Sequence, residues 1–145
     1  MLYCSIALKV FSFVDHVSEV EKGQSITAFF TLKGNEEFLL DHFEGFPVMP
    51  GVLLLESLRQ AASELWRQTD ASRSLSRLSE VREVKFGQFV KPGSRLRLFV
   101  TMTGRSDGRA DFDGRVDLTN EEGGPGPRAL VASFSLTERA GRVQR

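Results

Sequence analysis

His42 and Glu56 frame the stretch of this chain whose residue types suit proton transfer, DHFEGFPVMPGVLLLESLRQ over 41–60. A histidine gains or loses a proton near neutral pH, so His42 is a candidate base. The turn after it holds Gly45, Pro47, Pro50 and Gly51, and such a turn is stiff enough to fix an acid/base group in place. Glu56 follows on an apolar helical segment with Val52 and Leu53 as neighbours. Desolvation by such neighbours disfavours a charged carboxylate, which suits a proton donor. Gly51 opens that helix, so its N–H has no intrahelical acceptor and sits at the positive dipole end. It can hold an oxygen on which negative charge develops. Base, acid and oxyanion donor thus lie within fifteen residues of one another.

The elements that must carry these groups read as α+β. Val14–Val20 and Ser25–Leu32 look like strands around a break at Lys22-Gly23, and Phe38–Phe43 is a short apolar segment. Val52–Gln68 has no Gly or Pro and places apolar residues at 54, 55, 58, 61, 62 and 65, a helical spacing. Val52, Leu53 and Trp66 widen that stripe, which predicts a helix swallowed by the fold. Thr69–Ser76 reads as a loop. Strands are expected over Leu78–Phe89, Arg95–Thr103, Ala110–Leu118 and Leu130–Thr137, with turns at 91–94 and 105–108, a Gly/Pro loop at 121–127 and a frayed tail. A long buried helix followed by antiparallel strands predicts a sheet wrapped around that helix, with 1–145 as a single domain.

Composition narrows the function classes. Nineteen basic and nineteen acidic residues cancel, so net charge gives no argument for nucleic acid. The apolar run 52–55 is far too short to span a bilayer. The apolar start MLYCSIALKVFSFV lacks a basic leader and a small-residue cleavage site, so it is not read as a signal peptide. A single cysteine, Cys4, fits a reducing compartment, and with two histidines it makes a zinc site improbable. These features point to a soluble, cytoplasmic protein. Charge is nonetheless uneven. Seven acidic residues face Lys22 and Lys33 over 15–44, whereas seven basic residues face Glu80 and Glu83 over 73–97. The basic run is either a solvated face or a patch that steers an acidic partner.

The central stretch resembles the 3-hydroxyacyl-[acyl-carrier-protein] dehydratases, a branch of the hotdog-fold superfamily. Their motif, His-Phe-Pro-Gly-x-Pro-x-x-Pro-Gly-Val-Leu followed by Glu and Gln, stands here without gaps from His42 and Phe43 through Pro50, Gly51, Val52 and Leu53 to Glu56 and Gln60. SFVDHV and VREVKFGQFVKPGSRL extend the likeness over Phe11 to about Val100. The resemblance implies a hotdog domain in which His42 removes the α-proton of a 3-hydroxyacyl thioester and Glu56 protonates the departing hydroxyl. Gly51 would stabilise the thioester oxygen, with Phe43, Pro50 and Gln60 as further substrate-binding positions. It also implies a site shared between two chains, hence dimers or trimers of dimers. The partner would be acyl carrier protein, whose acidity favours the basic stretch as a docking surface. No metal or redox cofactor is implied, since the substrate brings its own phosphopantetheine.

The chain departs from that pattern at three places. Asp41 and Glu44 replace Gly and Pro around the histidine, and a carboxylate close to His42 would reduce its fraction of free base. Arg59 stands where the family has a small residue. We expect it to reach solvent or a partner; pairing with Glu56 would favour the carboxylate and weaken the acid. Tyr3 is the only tyrosine, so the loop before Phe86 has no tyrosine gate. Glu at 56, rather than the Asp of the dehydratase/isomerase branch, favours plain dehydration. Alternatives are a hotdog hydratase or dehydratase acting on coenzyme A or polyketide-type thioesters, and a non-catalytic acyl-chain binding subunit. The His-to-Glu motif fits elimination better than thioester hydrolysis.

Overall fold

The computed structural model describes residues 12–33, 48–70, 76–119 and 124–138. Within them lie β1 (His16–Glu21), β2 (Ser25–Thr31), α1 (Gly51–Thr69), β3 (Ser76–Phe86), β4 (Arg95–Ser106), β5 (Arg109–Thr119) and β6 (Pro125–Glu138). The strands form an antiparallel sheet in the order β1-β2-β4-β5-β6-β3. The expected arrangement of a sheet wrapped round a helix is what forms: α1 touches β2, β3, β4, β5 and β6.

The helix lies where uninterrupted helix-formers put it. It buries Leu54, Ser57, Leu58, Ala61, Ala62, Leu65 and Trp66, a stripe at three- and four-residue spacing. The two alanines bring its backbone close to the sheet. Gly114 on β5 leaves room for Leu58, since a Cβ there would sit 3.1 Å from a Leu58 methyl. In the same core, Phe112 and Phe134 stack at 5.7 Å, and Phe13 meets Phe30 edge-on at 5.5 Å. Alternate residues of the central strands complete the core: Ile26, Ala28 and Phe30 on β2, and Leu96, Leu98 and Val100 on β4. Asp107-Gly108 closes the β4–β5 hairpin, with Gly108 at φ 79, the conformation such a two-residue turn demands.

Four expectations need correction. The helix is not apolar-buried all round, because Val52 is 69% exposed while Leu54 and Leu58 face the sheet. The strand expected over 78–89 ends at Phe86; after it, Gly87 and Gln88 donate to the Ala129 and Arg128 carbonyls at 2.9 and 2.8 Å, and the chain turns toward the helix. The 121–127 loop is shorter than its Gly and Pro content suggests, since β6 starts at Pro125, paired with Thr119 at the end of a ladder where its missing N–H costs little. β4 runs on to Ser106, past the expected end at 103. The segment 38–43 and most of the 69–76 loop lie outside the described residues.

Candidate active site

Two clusters on α1 carry the residues singled out above. The first surrounds the helix start. Pro50 caps it in an extended conformation (φ −60, ψ 142), and its carbonyl accepts from the Leu53 and Leu54 N–H groups at 3.0 and 3.3 Å. Proline suits this place because it brings no donor to a position that needs none. Among the described residues the Gly51 N–H meets no acceptor, and the first turn contains no acidic side chain. The positive end of the helix is therefore not neutralised by its own residues.

An apolar cavity of about 330 Å³ opens at this point, between Met49, Pro50, Gly51 and Leu54 on one side and Phe86 and Phe89 on the other. Met49 N–H donates to the Val90 carbonyl at 2.9 Å and ties the two walls together. The Phe86 ring lies so close to Gly51 that a Cβ there would come within 2.5 Å of it. Phe86 and Phe89 are 61% and 65% exposed and give the cavity an apolar rim. Phe86 and Phe89 carried no signal of this role in the sequence beyond sitting at the end of a strand.

The second cluster holds Glu56. Its two carboxylate oxygens accept from Arg59 Nε and Nη2 at 2.9 and 2.8 Å, and one also accepts from Gln60 Nε2 at 3.1 Å. Gln60 is oriented from behind, since the Phe13 N–H donates to its Oε1 at 2.7 Å. The expectation that Arg59 reaches solvent or a partner is therefore corrected: spacing three apart on a helix puts it beside Glu56. The Glu56 side chain is 34% exposed, so Val52 and Leu53 do not shut it away from solvent. The same Glu–Arg–Gln spacing recurs at Glu64, Arg67 and Gln68 two turns on. There the Arg67 hydrogen bond holds the Glu64 carboxyl below its ordinary range.

Glu56 is five residues past Gly51, roughly 140° around the helix and about 7.5 Å along it. It is accordingly not among the residues lining the cavity, so within one chain Pro50 and Gly51 lie together, Glu56 and Gln60 lie together, and the two pairs are apart. His42 and Phe43 fall outside the described residues. Among the described residues no group of His, Cys, Asp or Glu is arranged to hold a metal ion. No described helix is long and apolar enough to cross a membrane.

The basic stretch over 73–97 does not form one patch. Arg82 donates to the Ser135 hydroxyl and the Phe134 carbonyl, and Lys85 lies 3.4 Å from Glu83, both on β3. Arg95 and Arg97 lie on β4, with β5 and β6 between. They stand over the Phe29 and Phe99 rings at 4.4 and 5.2 Å. Sequence proximity misled here because the strand order is not the chain order.

Comparison with known proteins gives three consistent findings. The model of the ApeI-like family, described as ApeI dehydratase, matches residues 18–121. The 3-hydroxyacyl-[acyl-carrier-protein] dehydratase FabZ of Lactobacillus helveticus is 41% identical over 108 residues, covering 72% of this chain and 73% of that protein. Its counterpart from Pediococcus pentosaceus is 46% identical over 91 residues, and the match spans 61% of that relative's length. Among solved structures, the dehydratase heterocomplex ApeI:P from Xenorhabdus doucetiae superposes with a TM-score of 0.71 at 15% identity, covering 89% of this chain and 84% of that one. At that identity the superposition speaks for the fold alone.

Proposed function

Because the chain belongs to the ApeI-like dehydratase family, we propose that it removes water from 3-hydroxyacyl thioesters on acyl carrier protein, in fatty acid or related lipid synthesis. The observation that carries this reading is the identity of 41% over 108 residues to a dehydratase of that activity. The sequence matched by the family model contains Gly51, Glu56 and Gln60.

In the proposed reaction His42 takes the α-proton and the Cα–H electron pair becomes the new carbon–carbon double bond. The Cβ–O bond breaks, and Glu56 gives the leaving hydroxide a proton, so that water and a trans-2-enoyl thioester result. Transfer of the proton from His42 back to Glu56, directly or through water, resets the pair. The Gly51 N–H stabilises the thioester oxygen as it gains charge, supported by a helix start without acidic residues. The apolar cavity beside it takes the acyl chain, and the substrate supplies phosphopantetheine. For Glu56 to act, one of its oxygens must turn from Arg59 or Gln60 to the hydroxyl. The separation of Glu56 from Gly51 within a chain supports a site completed by a second copy, with His42 and Glu56 coming from different chains.

The bidentate Arg59–Glu56 pair favours a second reading, an acyl-chain binding subunit in which Glu56 is structural. Turnover of 3-hydroxyacyl thioesters, offered once on acyl carrier protein and once on coenzyme A, separates the possibilities. Faster turnover on the carrier protein supports the proposal, preference for coenzyme A moves the substrate class, and no turnover on either favours the binding subunit.

A further inference from the structure

The outer face of the sheet, turned away from α1, is ordered in rows. Cross-strand pairing aligns Thr27, Phe99, Arg115, Val131 and Lys85 across β2, β4, β5, β6 and β3. The neighbouring row on the same face is Ser25, Thr101, Asp113, Ser133 and Glu83. The residues between them along each strand, such as Val100, Ala132 and Gly114, point to the helix side. One row therefore carries two large apolar side chains and two cations; the other carries three small hydroxyl residues and two anions.

The rows are complementary to each other, position by position. A two-fold axis lying in the plane of the face, across the strands and between the rows, would set two such faces together. It places Phe99 over the second copy's Thr101, Val131 over its Ser133, Arg115 over its Asp113 and Lys85 over its Glu83. Large then meets small and cation meets anion at all four positions, and each contact recurs by symmetry. The polarity continues outward, with Arg97 and Arg128 beyond the first row, flanking a buried Asp117 that Arg115 and Arg97 hold within the chain, and Asp111 and Glu80 beyond the second. Arg82 and Arg109 also lie on the acidic side, but both already bond to Ser135. At the β1 edge the same operation sets Glu19 over Glu21, a like-charge contact at an outermost strand where aligned sheets diverge and salt screens it.

We infer that this face binds a second copy of the chain. A partner of one charge sign would complement only half of it, whereas a second copy complements both. Six strands at about 4.8 Å spacing and eight residues of length give roughly 600 Å² per face, or about 1,200 Å² in all, the lower end of specific interfaces. The contacts are largely ionic, so the association is salt-sensitive. The inference does not depend on the reaction assigned above.

The test is the mass of the full-length protein in solution by light scattering, at low salt and at about 0.5 M salt. Arg115→Glu and Asp113→Arg should each halve the low-salt mass, and the double reversal should restore it. Lys85→Glu and Glu83→Lys form an independent pair, needed because Arg115 also bonds the buried Asp117 and its loss strips that carboxylate of donors. Salt alone should halve the mass of the unaltered protein. Mass unchanged by salt and by both sets of reversals, or single reversals that the double variants do not repair, overturns the inference.

Discussion

Gly87→Ala tests how the cavity wall is held. A Cβ at Gly87 would lie 2.2 Å from the Arg128 carbonyl oxygen and 3.0 Å from its carbon. Carbon and oxygen normally approach to about 3.3 Å, so the two backbones must part by roughly 1 Å. Two hydrogen bonds span this gap, Gly87 N–H to Ala129 at 2.9 Å and Gln88 N–H to Arg128 at 2.8 Å. Both would stretch beyond the usual limit of about 3.2 Å. Their loss costs about 1–3 kcal/mol, and the stiffer unfolded chain offsets about 0.4–1 kcal/mol. The net is a destabilisation of about 1–2 kcal/mol, a fall of roughly 3–8 °C in Tm for a chain of this size. Thermal unfolding followed by circular dichroism reads it directly. A Tm within about 1 °C of the parent protein would show that residues 87–90 yield freely and do not anchor the wall.

Other outcomes follow from the same geometry. Arg59→Ala removes two of the three donors on Glu56 and restores the small residue of the dehydratase motif, so dehydration should stay within about threefold of the parent; a loss of orders of magnitude in steady-state rate would place Arg59 in the machinery. Gln60→Leu removes the Oε1 acceptor of the Phe13 N–H and one donor to Glu56, and should cost about 1–3 kcal/mol in a urea titration. The Asp111 carboxyl is held below its ordinary range, first by the Ser135 hydroxyl and then by Arg109. Its contribution is thus present above the unfolded carboxylate pKa and lost as pH falls. Asp111→Asn should therefore be less stable than the parent at pH 7, with the gap closing below about pH 4 in acid unfolding curves; a constant gap would refute this. His42→Ala and Glu56→Gln should be non-additive in rate, because a shared step fails once either partner is gone.

The helix was legible because an unbroken run from 52 to 68 with buried positions at 54, 58, 61, 62 and 65 admits little else. The β4–β5 hairpin was legible from Asp107-Gly108, where a turn needs positive φ. What local pattern does not encode is strand order. The basic run 73–97 therefore looked like one patch, although its halves end up on strands separated by β5 and β6. Sequence spacing did allow for an Arg59–Glu56 contact, but choosing between that pair and solvent requires the side-chain surroundings, including the Phe13 N–H that fixes Gln60. The apolar first turn suggested burial; its exposure at Val52 depends on which face meets the sheet.

Enoyl thioester formation from a 3-hydroxyacyl-acyl carrier protein, measured for the parent protein beside His42→Ala, bears most directly on the proposed dehydration. The account predicts turnover by the parent and a loss of about 10²–10⁴-fold in the variant. Folded protein that turns over no chain length offered, or turnover that survives the loss of His42, would contradict it.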